Sequence, residues 1–237
     1  MRTPILVIAR RELAAQFRSP VAYILIAAFI LIAGFLFANS VISSRQATVR
    51  PLFGALFTIL LLFAPIITMR LLAEEARNGT MELLLTAPIR DFEIVLGKFL
   101  AGLGFFAVVL GVTLYFPFLL LVYGNPDVGG IVGTYLGALL FCATLTAIGL
   151  FASSLTQNQI VAAAISWAIL LLLYLVDALS GVLGGTSSDV LRYVSLYPHF
   201  NDLTRGVIDT KDIVYFLSMT AAALFLTWRK VESRRWS

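Results

Sequence analysis

The sequence predicts an all-α polytopic membrane protein with six spanning helices, and three observations carry that prediction. Of 237 residues, 60% are hydrophobic and only 13% are charged, where soluble domains carry about 25% charged residues. Uncharged apolar runs recur along the chain at the length, about 17–25 residues, that a helix needs to cross the hydrocarbon layer. The basic residues gather between those runs, as membrane orientation demands. A soluble enzyme, a nucleic-acid-binding domain and a disordered regulator are excluded, and the net charge of +4 is read as topology rather than as a nucleic-acid partner. The single cysteine, Cys142, lies in an apolar run, so neither an intrachain disulfide nor a cysteine metal site is expected.

Taken in order, residues 1–20 come first: Leu6, Ala9, Leu13 and Phe17 share one helical face, and Arg10, Arg11, Gln16 and Arg18 flank it. This pattern reads as an amphipathic helix lying in the membrane interface, or as a basic flank that only sets orientation. The run Val21–Ile42 exceeds the 7–15 apolar residues, roughly, of a signal peptide and is read as an uncleaved first span. Leu52–Met69, Phe99–Val122, Ile131–Ala152, Ile160–Val176 and Ile213–Trp228 supply the other five. With the N-terminus inside, twelve of the 17 Lys and Arg residues fall on the inner side: Arg2, Arg10, Arg11, Arg18, Arg70, Arg77, Arg90, Lys98, Arg229, Lys230, Arg234 and Arg235. Arg45, Arg50, Arg192, Arg205 and Lys211 fall outside, so both termini are expected in the cytoplasm.

The connections are unequal. Residues 123–130 and 153–159 read as short hairpins, whereas 70–98 inside and 184–212 outside are long, and long loops in compact proteins are commonly functional. In the inner segment, Asn78-Gly79 breaks one helix, Thr80 is an N-cap for a short helix over Met81–Ala87, Pro88 stops it, and Asp91 caps the helix that runs through Gly97-Lys98 into span three. A helix of two turns is not stable alone. Its Met81, Leu83, Leu84 and Leu85 need a surface, either the lipid interface or a cytoplasmic partner. In the outer segment, Val190, Leu191, Tyr193, Val194, Leu196, Tyr197 and Phe200 need burial, and two short helices are expected at about 189–196 and 202–207. These form either a cover over the outer mouth of a pathway or a passive lid.

Gly129, Gly133 and Gly137 recur every fourth residue, a spacing that lets a second helix approach, within the chain or in a dimer. Asp177, at the end of span five, reads as an interfacial cap or as a functional intramembrane acid. The only histidine, His199, follows Pro198 in the outer loop and is expected to serve the fold or a partner contact. No catalytic constellation and no metal site is found. Gly97-Lys98 is followed by Phe99 and lacks the glycine-rich lead of a phosphate loop, so nucleotide must be bound by another chain.

The run Glu74-Glu75-x-x-x-Gly79-Thr80-x-Glu82-Leu83-Leu84-Leu85-Thr86-x-Pro88, followed by Gly97-Lys98 between spans two and three, resembles the coupling segment of the ABC-2 type permeases, the membrane subunits of type V ABC exporters. The pattern Tyr193, Ser195, Leu196, His199, Phe200, Arg205, Gly206, Val207, Ile208 and Asp209 ahead of the last span is similar to the gliding-motility-associated ABC permease subfamily. The resemblance implies one ABC-2 type transmembrane domain over 1–237, two permease halves as homodimer or related chains, and two cytoplasmic ABC ATPases that bind ATP and magnesium. It implies that Glu74, Glu75, Gly79, Thr80, Glu82, Leu83, Leu84, Leu85 and Pro88 couple to the ATPase. His199, Phe200, Arg205 and Gly206 are expected at an outer partner or gate. The expected activity is export of a lipid-linked, polymeric or other amphipathic substrate. Mechanotransmission to an extracytoplasmic partner without transport is the alternative, and a membrane-embedded lipid-modifying enzyme is a third reading. Membrane lipids are expected partners and nucleic acid is not.

Overall fold

A computed structural model describes residues 4–44, 48–81, 89–183, 191–204 and 209–234; these form helices joined by short links and contain no strand. The helices are α1 (Pro4–Arg18), α2 (Pro20–Ser44), α3 (Arg50–Thr68), α4 (Arg70–Asn78), α5 (Asp91–Thr113), α6 (Tyr115–Tyr123), α7 (Val128–Leu155), α8 (Gln159–Leu183), α9 (Leu196–Thr204) and α10 (Thr210–Arg234). Among the described residues five helical stretches are long and apolar enough to cross a membrane: Pro20–Ser43, Arg50–Asn78, Asp91–Tyr123, Val128–Leu155 and Gln159–Ala178. The expected sixth run lies within α10, where Lys211 and Asp212 at one end and Arg229 and Lys230 at the other hem it in.

Proline places two of the breaks. Pro20 follows Ser19 and starts α2, because proline fits the first helical position and not an interior one. The run expected as one span over 99–122 is broken at Leu114, since Pro117 has no N–H to give the carbonyl of Thr113 and its ring crowds that carbonyl. There the Leu114 N–H turns to the carbonyl of Gly111 at 3.2 Å.

The bundle is centred on α7, which packs against α3, α5, α8, α9 and α10. Small and hydroxylated residues make those contacts close. A methyl group on Gly137 would stand 2.6 Å from Leu203 Cβ of α9, so this part of the glycine pattern serves packing within the chain. Thr144 and Thr220 share a hydrogen bond of 3.0 Å between α7 and α10. At the middle of the core, Phe57, Phe141 and Phe200 meet with ring centres 4.6 to 5.0 Å apart.

Several local expectations change. The link after α7 is 156–158, not 153–159, because Ser153 and Ser154 belong to the helix. Asp177 stands at the end of the fifth membrane-crossing stretch, Gln159–Ala178, as expected, although α8 itself continues to Leu183. Among the described residues 191–194 are helical, within the expected 189–196, and a helix α9 begins at Leu196, ahead of the expected 202–207. Ser195 Oγ accepts the Tyr197 N–H at 3.4 Å, and Pro198 falls in the first turn, where its missing N–H is harmless. Leu196 and Phe200 are buried as expected, but Tyr193, Val194 and Tyr197 are exposed.

Candidate functional site

The long segment between α3 and α5 leaves the bundle through an elbow at Met69. Pro65 lies one turn before it, and a side chain from α7 enters the turn itself. Ser153 Oγ accepts the N–H groups of Leu72 at 3.0 Å and Ala73 at 2.9 Å, and donates to the carbonyl of Met69 at 2.8 Å. A helix start leaves its first N–H groups without partners, and here a hydroxyl 80 residues away satisfies two of them. α4 is thereby tied to α7 at its root. At its far end Gly79 adopts φ +70°, a left-handed value that glycine tolerates and that ends a helix, which accounts for the expected break at Asn78-Gly79. The Thr80 hydroxyl donates back to the carbonyl of Glu75 at 3.4 Å, and Thr80 and Met81 are helical again after the turn at Gly79. Glu82, Leu83, Leu84, Leu85 and Pro88, with the short helix expected at 81–87, lie outside the described residues; Met81 is buried.

The return into the bundle is capped differently from the expectation. Arg90, not Asp91, holds the cap position of α5, and its N–H donates to the Glu93 carboxylate at 2.9 Å. Two turns on, Lys98 is 1% exposed, and its ammonium lies 2.9 Å from Glu75 Oε2 of α4 and 3.5 Å from Glu12 Oε2 of α1. Arg11 completes the group, 3.1 Å from Glu12 and 3.7 Å from Glu75. Two cations and two carboxylates thus join three helices that are remote in sequence. A buried lysine without such partners would be strongly destabilising.

α1 reaches this cluster because it lies along α5. Phe17 meets Phe105 at 5.4 Å, and a methyl on Gly97 would fall 2.7 Å from the Ile8 side chain. Its packed side therefore runs through Ile8, Glu12, Leu13 and Phe17, not through Leu6, which is 60% exposed. Gln16, expected as a polar flank, turns inward, and both polar atoms of its carboxamide are buried with no hydrogen-bond partner among the described residues. Beside them opens a cavity of about 340 Å³ between α1, α2, α3, α4 and α5.

At the opposite end of α7, His199 is buried between α9 and α10. Its Nδ1 lies 2.6 Å from Asp212 Oδ1 and its Nε2 lies 2.9 Å from the carbonyl of Tyr193. Both ring nitrogens face acceptors, so both contacts are hydrogen bonds when both nitrogens carry hydrogen. Tyr215 stacks on the ring at 4.0 Å and donates to the carbonyl of Val194 at 2.6 Å. At the head of α10, the Lys211 N–H donates to Asp209 at 3.1 Å and, with the Lys211 ammonium, holds that carboxyl below the usual carboxylate range. Phe200 is in the aromatic core, and Arg205 and Gly206 lie outside the described residues.

Of the residues expected to couple, Glu75 is therefore part of an ion-pair cluster inside the fold, while Glu74 is exposed. Lys98, Glu12 and Ser153 were not anticipated as a site. A periodicity signal existed for the first two, since Lys98 shares the apolar face of Ile94, Val95, Ala101 and Gly102, and Glu12 that of Ile8 and Leu13. No group of three or more His, Cys, Asp or Glu side chains able to hold a metal occurs among the described residues. Residues 6–231 match the family model described as "ABC-2 family transporter protein". No curated protein matches the chain.

Proposed function

The chain belongs to the ABC-2 transporter family and is thus the membrane permease component of an ABC transporter, partnered by a cytoplasmic ABC ATPase; from this premise we propose that the elbow at Met69 carries motion from that ATPase into the bundle. The observation that supports this reading is the double anchorage of the segment: Ser153 grips the root of α4 through three hydrogen bonds, and Lys98 ties α4 to the start of α5 and to α1. A push on 79–90 is passed on through these anchors. It displaces α7, and with it the helices packed around α7.

In the same reading, α10 is the sixth span, both termini are cytoplasmic, and two permease chains assemble in a bacterial inner membrane. The ATPase docks on the 79–90 segment and carries the ATP and magnesium. Export of an amphipathic, lipid-linked or polymeric substrate fits spans built of apolar and small residues. The similarity of the outer loop to the gliding-motility-associated subfamily keeps an extracytoplasmic partner as the second use of the same motion.

Docking and anchoring are separable by mutation. Leu84→Asp and Leu85→Asp are expected to release the ATPase in a pull-down while the permease keeps its thermal stability, because an unpaired charge in a docking face costs about 1–3 kcal/mol or more. ATPase retention equal to wild type in both variants would overturn the docking assignment. Flux of substrate in proteoliposomes then separates export from mechanotransmission.

A further inference from the structure

We propose that the cavity beside Gln16 binds the headgroup of a zwitterionic membrane phospholipid bearing a primary ammonium, of the phosphatidylethanolamine class, as a fixed occupant of the elbow. This rests on the membrane reading alone and not on the ATPase.

Three features of the cavity converge on that chemistry. First, its volume of about 340 Å³ lies at the low end of small-molecule sites, roughly 300–1,000 Å³. It fits a headgroup and the head of one chain, not a whole diacyl lipid, so the tails must leave through the side. Second, one wall is apolar and made of span residues: Val21, Leu25, Ile66 and Ile67. Val21 is 39% exposed at the start of α2, so the wall continues to the outer surface of the bundle where acyl chains lie. Third, the polar wall offers unspent groups of both signs. Arg70 and Glu74 are exposed, line the cavity and make no ion pair with each other or with any other described residue, and the Gln16 carboxamide is buried without a partner. Lys98, Glu75 and Glu12 also line the cavity, and with Arg11 they are ion-paired among themselves.

A phosphodiester matches the Arg70 guanidinium, which bonds phosphate oxygens through its planar fork, and the Gln16 amide can donate to the same group. A primary ammonium matches Glu74, to which it gives charge-assisted hydrogen bonds. A quaternary ammonium has no N–H to give, and an anionic glycerol headgroup brings no cation.

The test uses the permease–ATPase complex in phosphatidylcholine nanodiscs carrying a trace of phosphatidylethanolamine or phosphatidylglycerol, each with a photoreactive group on one acyl chain. After illumination, labelled peptides are mapped by mass spectrometry. The ethanolamine probe is expected to label 15–25 and 66–67 about tenfold more than the glycerol probe, the equivalent of one charge-assisted contact. Glu74→Gln should reduce ethanolamine labelling to the glycerol level, and Arg70→Gln or Gln16→Leu should lower both. Equal labelling by the two probes in wild type would overturn the proposal, as would unchanged labelling in the Arg70→Gln, Glu74→Gln double variant. Should a variant fail to assemble, the ratio of the two probes in wild type still decides. Leu84→Asp, which removes the ATPase if docking is as proposed above, is expected to leave the label pattern intact, so the two ideas fail separately.

Discussion

The molecule buries ionic groups at both ends of α7, and the two clusters are built in opposite ways. The His199–Asp212 pair joins residues 13 apart in sequence, is closed over by Tyr215 and Tyr193, and fixes α9 to the head of α10. The Lys98 cluster draws on α1, α4 and α5, shares its lysine between two carboxylates, and stands beside a cavity. A closed, local pair makes a rigid corner. A shared, open one leaves each member a second partner, so it can tolerate displacement of one helix without stranding a charge. The difference assigns the fixed end of the bundle to α9 and the end that yields to the elbow.

The sharpest challenge to that contrast is to delete one carboxylate from each cluster. Asp212→Ala removes the carboxylate paired with His199, and Asp212 is itself 0% exposed. A loss of about 3–5 kcal/mol is expected, as for other broken buried pairs, read by denaturant unfolding in mixed micelles. Glu75→Ala should cost less, about 1–3 kcal/mol, because Lys98 keeps Glu12 at 3.5 Å. Equal losses would erase the distinction between closed and shared clusters. The smallest effect is expected at the clasp: Ser153→Ala strips partners from Leu72 and Ala73, at about 1–2 kcal/mol. Its consequence should be larger for function than for stability. ATP hydrolysis by the complex should persist while transport output falls, and a proportional fall of both would place Ser153 in general packing.

Most of the spans were legible in the sequence because hydrophobic run length reports directly on what lipid tolerates. Charges buried within a helix face were less so. Gly97-Lys98 resembles a fragment of a phosphate loop in sequence, whereas the lysine's position on the apolar side of α5 is the feature that matters. The register of α1 slipped for a related reason: counting only apolar residues favours Leu6, whereas the packed side is centred on Ile8 and Glu12, a carboxylate whose partner is supplied by α5. Ser153 could not be read at all, since a serine among small residues near a helix end has no local signature for a bond to a helix 80 residues earlier. The capping of α5 through Glu93 rather than Asp91 shows the same limit at short range, two acids two residues apart in one turn competing for one role.

The clasp at Ser153 also limits how this chain can change in length. One hydroxyl engages three backbone groups of residues 69, 72 and 73, and those groups are spaced by helical geometry. A single residue inserted or deleted between Pro65 and Leu72 would turn α4 by about 100°, moving those N–H groups off the oxygen and carrying Glu75 away from Lys98 at the same time. Substitutions around the elbow can be absorbed one at a time, but its length cannot drift. In any lineage of such chains, gaps in alignment should collect in 79–90 and beyond Leu183, and none should fall between Pro65 and Ala73.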